Sequence, residues 1–94
     1  MMKRIFKYQL KRTDYQRIHL PIGSKILSVI QQNDNLVLYA LVDDDVSIKR
    51  PYGVYILSTG HSACDVNDAT FLGTVKLLDG AHISHVFIKQ VALC

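Results

Sequence analysis

Residues 36–42 read Leu-Val-Leu-Tyr-Ala-Leu-Val, an uninterrupted apolar run that follows the polar triplet Asn33-Asp34-Asn35. The run is far shorter than the roughly 18 residues a membrane-spanning helix needs. It is rich in residues that suit a pleated surface, and turn formers bound it, so it reads as a strand. Being apolar on both faces, it must be covered on both sides, either as a central strand or by a second subunit. The preceding residues 25–32 contain Ile26-Leu27-Ser28-Val29-Ile30 and read as its antiparallel partner. Asn and Asp tolerate the positive φ of a tight turn, so 25–32 and 36–42 form the strongest hairpin of the chain.

Composition supports strands elsewhere. All eight acidic residues are Asp and none is Glu. Glu is a good helix former, whereas the short Asp side chain competes for nearby backbone groups. Residues 4–10 alternate Arg4, Phe6, Tyr8 and Leu10 against Ile5, Lys7 and Gln9, and residues 15–20 alternate in the same way. With Lys11-Arg12-Thr13-Asp14 between them, the two segments are expected to form a first hairpin. Pro21-Ile22-Gly23-Ser24 is a turn. Residues 43–52 are polar and contain Pro51, which cannot donate to a ladder, so they read as a loop. Residues 54–59 read as a strand closed by Gly60-His61, and 61–69 as a loop with at most one helical turn.

The last hairpin joins 70–78 and 81–89 across Asp79-Gly80, a strong signal for a type I′ turn. A two-residue turn sets Leu78 opposite Ala81 and Phe71 opposite Ile88. Phe71, Val75, Leu77, Val86 and Ile88 then share a core face, which His82 and Ser84 join. The chain of 94 residues therefore reads as one all-β domain spanning 1–94, a small antiparallel sandwich or partly open barrel of about seven strands built from hairpins.

Chemistry-bearing motifs are sparse. His61 and Cys64 form an H-x-x-C pair, but a zinc site needs three or four convergent ligands. His82 and His85 are three apart on a strand and point to opposite faces. A nucleophile–base pair at Cys64 and His61 lacks an orienting group and an oxyanion hole. The reading is a non-enzyme with no catalytic residue, no metal and no cofactor. The Gly60-His61 corner, with small neighbours and exposed amides, is a candidate site for a small anion.

Charge is more informative. The net charge is +3, and residues 1–25 hold Lys3, Arg4, Lys7, Lys11, Arg12, Arg17 and Lys25 against the single acid Asp14. Asp43, Asp44 and Asp45 form an acidic run. Arg12 and Arg17 rank first as candidate binding residues, because the guanidinium fork pairs well with carboxylates and phosphates. Tyr15 ranks next, followed by Lys7 and Lys11, with the three aspartates as an acidic patch. Interleaved Phe6, Tyr8 and Tyr15 admit a single-stranded nucleic-acid reading. It ranks lower, because Phe6 and Tyr8 lie on the expected core face. Two cysteines, Cys64 and Cys94, do not make a disulfide framework, and the opening MMKRIFKYQLKR does not read as a secretory leader, which implies a reducing, cytoplasmic setting in a host cell and no membrane.

The opening MKRIFKY, the stretch DYQRIHLPIGSKILSVIQQNDNLVLYALVD, the STGH corner and FLGTVKLLDGAHISHVF resemble a family of short proteins encoded by bacteriophages and prophages, a domain of unknown function. The resemblance covers most of the chain. It departs at Tyr39, where the family usually has Trp, and at Ser62, where it has Pro. The resemblance implies a non-enzymatic binding protein that masks a host protein or complex, as a counter-defence, anti-CRISPR-like inhibitor would. The alternatives are a small-ligand or nucleotide binder and a single-stranded nucleic-acid module. The two-faced apolar strand further predicts a homodimer.

Overall fold

The structure, a computed structural model, describes residues 2–77 and 81–91. Seven strands form: β1 (Lys3–Leu10), β2 (Tyr15–Pro21), β3 (Lys25–Gln32), β4 (Asn35–Asp43), β5 (Lys49–Ser58), β6 (Thr70–Leu77) and β7 (His82–Gln90), with one 3-10 turn at Cys64–Val66. They build two antiparallel sheets, ordered β1-β4-β3 and β2-β5-β7-β6. The sheets stack as a sandwich that does not close into a barrel, although β3 and β6 approach each other along one edge. The molecule measures 42 × 30 × 16 Å, flat as two packed sheets must be.

Between the sheets lie Leu10, Leu20, Leu36, Leu38, Ala40, Val42, Val54, Val86 and Ile88, all buried in one cluster. Leu36, Leu38, Ala40 and Val42 are the even-numbered residues of β4, so the central apolar run sends that face into the core. The β3–β4 hairpin forms as its sequence implies. Gln32 pairs with Asn35, leaving Asn33 (φ 51°) and Asp34 (φ 64°) as a two-residue turn with both φ positive.

The expected first hairpin does not form. β1 pairs with β4 in the three-stranded sheet, and β2 pairs with β5 in the other. Residues 11–14 therefore carry the chain from one sheet to the next. The Gln16 carboxamide pins this crossing, accepting from the Lys11 amide (3.0 Å) and donating to the Lys11 carbonyl (2.6 Å), much as a neighbouring strand would. Two alternating strands joined by four polar residues look alike whether they pair or face each other across a core.

The loop expected over 43–52 is shorter. β5 begins at Lys49 and contains Pro51, which pairs with His19. The Pro51 carbonyl accepts from the Val91 amide (3.3 Å), just past the last rung between β5 and β7 at Tyr52 and Gln90. The N–H that proline lacks faces the same side, where the ladder has already ended.

In the last hairpin, the rungs from Gly73–Val86 to Leu77–His82 keep the expected register, while the Asp79-Gly80 turn lies outside the described residues. A bulge between Phe71 and Gly73 then shifts the ladder, so Phe71 faces Phe87 rather than Ile88. An extra residue in one strand turns everything beyond it to the other face. Phe71 is accordingly 54% exposed instead of in the core. Ser84 is buried, as its place on the inner face requires, while His82 emerges at the mouth of the sandwich.

Candidate binding faces

The outer face of the three-stranded sheet follows from the register. Across it run Ile5, Leu41 and Lys25, then Lys7, Tyr39 and Ser28, then Gln9, Val37 and Ile30. Leu27 adjoins this face at a bulge in β3. Val37 at its centre is 4% exposed, but Ile5 (63%), Leu27 (42%) and Ile30 (42%) are open to solvent. An apolar strip thus lies on a flat sheet, with Lys7 and Lys25 on its two edge strands. Neither lysine has an ion pair to a described residue.

The four-stranded sheet is different. Tyr15 of β2 pairs with Tyr55 of β5, Tyr55 with Phe87 of β7, and Phe87 with Phe71 of β6, giving an aromatic row across all four strands. Ring centroids are 4.8 Å apart for Tyr15–Tyr55 and 5.3 Å for Phe71–Phe87, both tilted. β5 and β6 run parallel with β7 between them, so residues 59–69 must cross over β7. They cross on the outer face. Lys89 lies there, and its ammonium donates to the Asp65 carbonyl (3.2 Å) and the Asp68 carboxylate (3.0 Å). This contact holds the Asp68 carboxyl below its ordinary range and lifts the Lys89 ammonium above its own. The Lys89 ammonium also stands 5.4 Å from the centre of the Tyr55 ring.

The basic residues singled out in the sequence do not make one patch. Lys7 sits on the outer face of the three-stranded sheet, while Arg17, paired with Gly53, sits on the outer face of the other. They point away from each other across the sandwich. Lys11 and Arg12 lie exposed at the crossing between the sheets. Arg17 Nε donates to the Tyr15 hydroxyl (3.3 Å), so these two candidates are in direct contact. In the acidic run, Asp44 pairs with Arg4, Asp45 accepts from the Met2 amide (3.2 Å), and Asp43 accepts from the Asp45 amide (3.0 Å). The run ties the start of β1 to the end of β4. Phe6 is 40% exposed and Tyr8 half-buried, with burial raising the Tyr8 phenol above its usual range.

His61 is exposed, and its amide donates to the Ser58 carbonyl (3.1 Å) to close the corner, with Gly60 at φ 90°. Cys64 is also exposed and accepts from the Ser62 hydroxyl (3.4 Å). His82 and His85 do point to opposite faces. His85 bridges the Thr59 hydroxyl (Nε2, 2.8 Å) and the Thr74 hydroxyl (Nδ1, 3.0 Å). His82 Nε2 lies 2.8 Å from the Ser58 hydroxyl, beside a cavity of about 100 Å³ that Arg12, Asp14 and Ser84 also line. That Ser–His distance suits proton transfer, but no described residue hydrogen-bonds to the other His82 nitrogen, which a nucleophile–base pair needs for orientation. Sequence reading missed this pair and the aromatic row, since both depend on registers that are set by pairing between distant segments.

The architecture defines a small two-sheet antiparallel β-sandwich with one apolar outer face and one aromatic outer face. The chain belongs to the family described as domain of unknown function DUF7352, whose model matches residues 1–92. No curated protein and no solved structure matches it. Among the described residues no helix is long and apolar enough to cross a membrane.

Proposed function

We propose that this chain is a non-enzymatic binding protein that acts by covering a surface of a partner protein, with the outer face of its three-stranded sheet as the contact. One observation carries the reading: Ile5, Leu27 and Ile30 are exposed together around Tyr39, Leu41 and Val37, on sheet backbone that needs no rearrangement to dock. The lysines on the edge strands set the partner's chemistry. A self-complementary two-fold contact brings like patches together, Lys7 and Lys25 of one copy near those of the other. A partner with an apolar centre and acidic rim avoids that repulsion. The reading therefore favours a different protein over a second copy. Resemblance to a bacteriophage and prophage family supports a host protein or complex as the partner, and inhibition of a host defence as the outcome.

Site-specific photocrosslinking in host cells tests this. A photoreactive residue replaces either Ile30 on the three-stranded sheet or Phe71 on the other face. A discrete heterologous adduct from position 30, abolished by Ile5→Asp, is the expected result. An adduct from position 71 alone, or a self-adduct from position 30, would refute the reading.

A further inference from the structure

On the opposite face of the sandwich, Asp14, Tyr15, Tyr55, Leu57, Ser62 and Asp65 line a groove of about 490 Å³. The two tyrosine rings pack against each other, centroids 4.8 Å apart and inclined at 52°, and together form one wall of it. Tyr15 is held in place by a vacancy beneath it. A Cβ on Gly53 would come within 2.9 Å of Tyr15 Cε1 and 3.1 Å of its hydroxyl, so the ring occupies space that only glycine leaves. At the far end of that ring, Arg17 binds the hydroxyl. Leu57, half-buried, adds an apolar surface.

Both acids of the groove are unspent. The Asp14 and Asp65 side chains are exposed and have no hydrogen bond or ion pair to any described residue. Only their carbonyls are engaged, Asp14 by the Ile56 amide and Asp65 by Lys89. Lys89 does not neutralise them, because its charge is matched by Asp68. Held by Asp65 and Asp68, its ammonium stands 5.4 Å from the centre of the Tyr55 ring, within cation–π range.

Electron-rich rings beside free carboxylates complement a group with a flat or apolar body and a positive charge. The same carboxylates repel phosphate. We propose that this groove binds an organic cation, a guanidinium or alkylammonium group, whether carried by a free small molecule or by an arginine or lysine side chain of a polypeptide. The site is independent of the apolar face described above, and either can fail without the other.

The test is a nuclear magnetic resonance titration of the full chain with argininamide, tetramethylammonium, a blocked Gly-Arg-Gly tripeptide and inorganic phosphate. The expected result is saturable movement of the Tyr15 and Tyr55 ring signals and the Ser62 amide with the cations. Equal affinity for argininamide and tripeptide assigns the site to a free cation, and tighter binding of the tripeptide assigns it to a side chain. Asp14→Asn with Asp65→Asn should weaken binding at least tenfold while the rest of the spectrum stays folded. Gly53→Ala, which displaces Tyr15, should weaken it through the wall alone. Unmoved ring signals at millimolar cation would overturn the proposal, as would equal binding by the double Asn variant or a response to phosphate alone.

Discussion

The two sheets of this protein contribute matched inner faces to one core and treat their outer faces in opposite ways. On the three-stranded sheet nothing among the described residues crosses the outer face, and Ile5 and Ile30 are open to water. On the four-stranded sheet residues 59–69 cross the face, Lys89 clamps them, and an in-register row of rings lies beneath and beside the crossing. The difference comes from connectivity. β3 and β4 join through a two-residue turn that stays at the sheet edge, whereas the parallel β5 and β6 require a crossover. One face is thus left for a flat contact, and the other is shaped into a groove.

The sharpest way to break this comparison is to set an inner against an outer residue of the same three-stranded sheet. Leu38 of β4 is fully buried, so Leu38→Ala should lower stability by about 2–5 kcal/mol in urea denaturation. Ile30→Ala, on the outer face, should cost well under half as much. Equal losses would mean that the outer face is covered in solution.

A smaller effect is expected at the hairpin that keeps the outer face uncrossed. Asn33→Val places a β-branched side chain at φ 51° and should cost about 1–2 kcal/mol by thermal or chemical unfolding. An unchanged midpoint would show that the turn adopts another geometry.

On the aromatic face, Gly53→Ala should displace Tyr15 from Tyr55 and remove about 0.5–1.5 kcal/mol of ring contact. Near-ultraviolet circular dichroism reports the tyrosine pair directly, and the same change in a Tyr15→Leu variant would confirm the cause.

The smallest effect concerns the clamp on the crossover. Asp68 has a lowered folded pKa, so its stabilisation is complete above the unfolded carboxylate range and is lost as pH falls through the lowered value. Lys89 has a raised one, so its part is complete below the ordinary lysine range and is lost as pH rises through the raised value. Between those limits the clamp should hold. Amide protection in residues 59–69, taken relative to the intrinsic exchange rate at each pH, should fall on acidification below the ordinary Asp range, while β4 amides stay protected. Asp68→Asn should remove most of that pH response.

Local patterning sufficed for much of the architecture. Alternation at Arg4, Phe6, Tyr8 and Leu10 marks a strand wherever it goes, because side chains on extended backbone must alternate. Asn33 and Asp34 announce a tight turn, because few other residues accept positive φ. Tertiary structure alone decided which strands pair. It sent β1 to β4 and β2 to β5, thereby parting Lys7 from Arg17, and it placed Pro51 inside a strand at the one end where its missing N–H has no rung to make. It also set the bulge beside Gly73 that turns Phe71 outward to complete the aromatic row. Alternation is a property of each segment alone, whereas pairing and register are settled by the apolar area that all segments bury together.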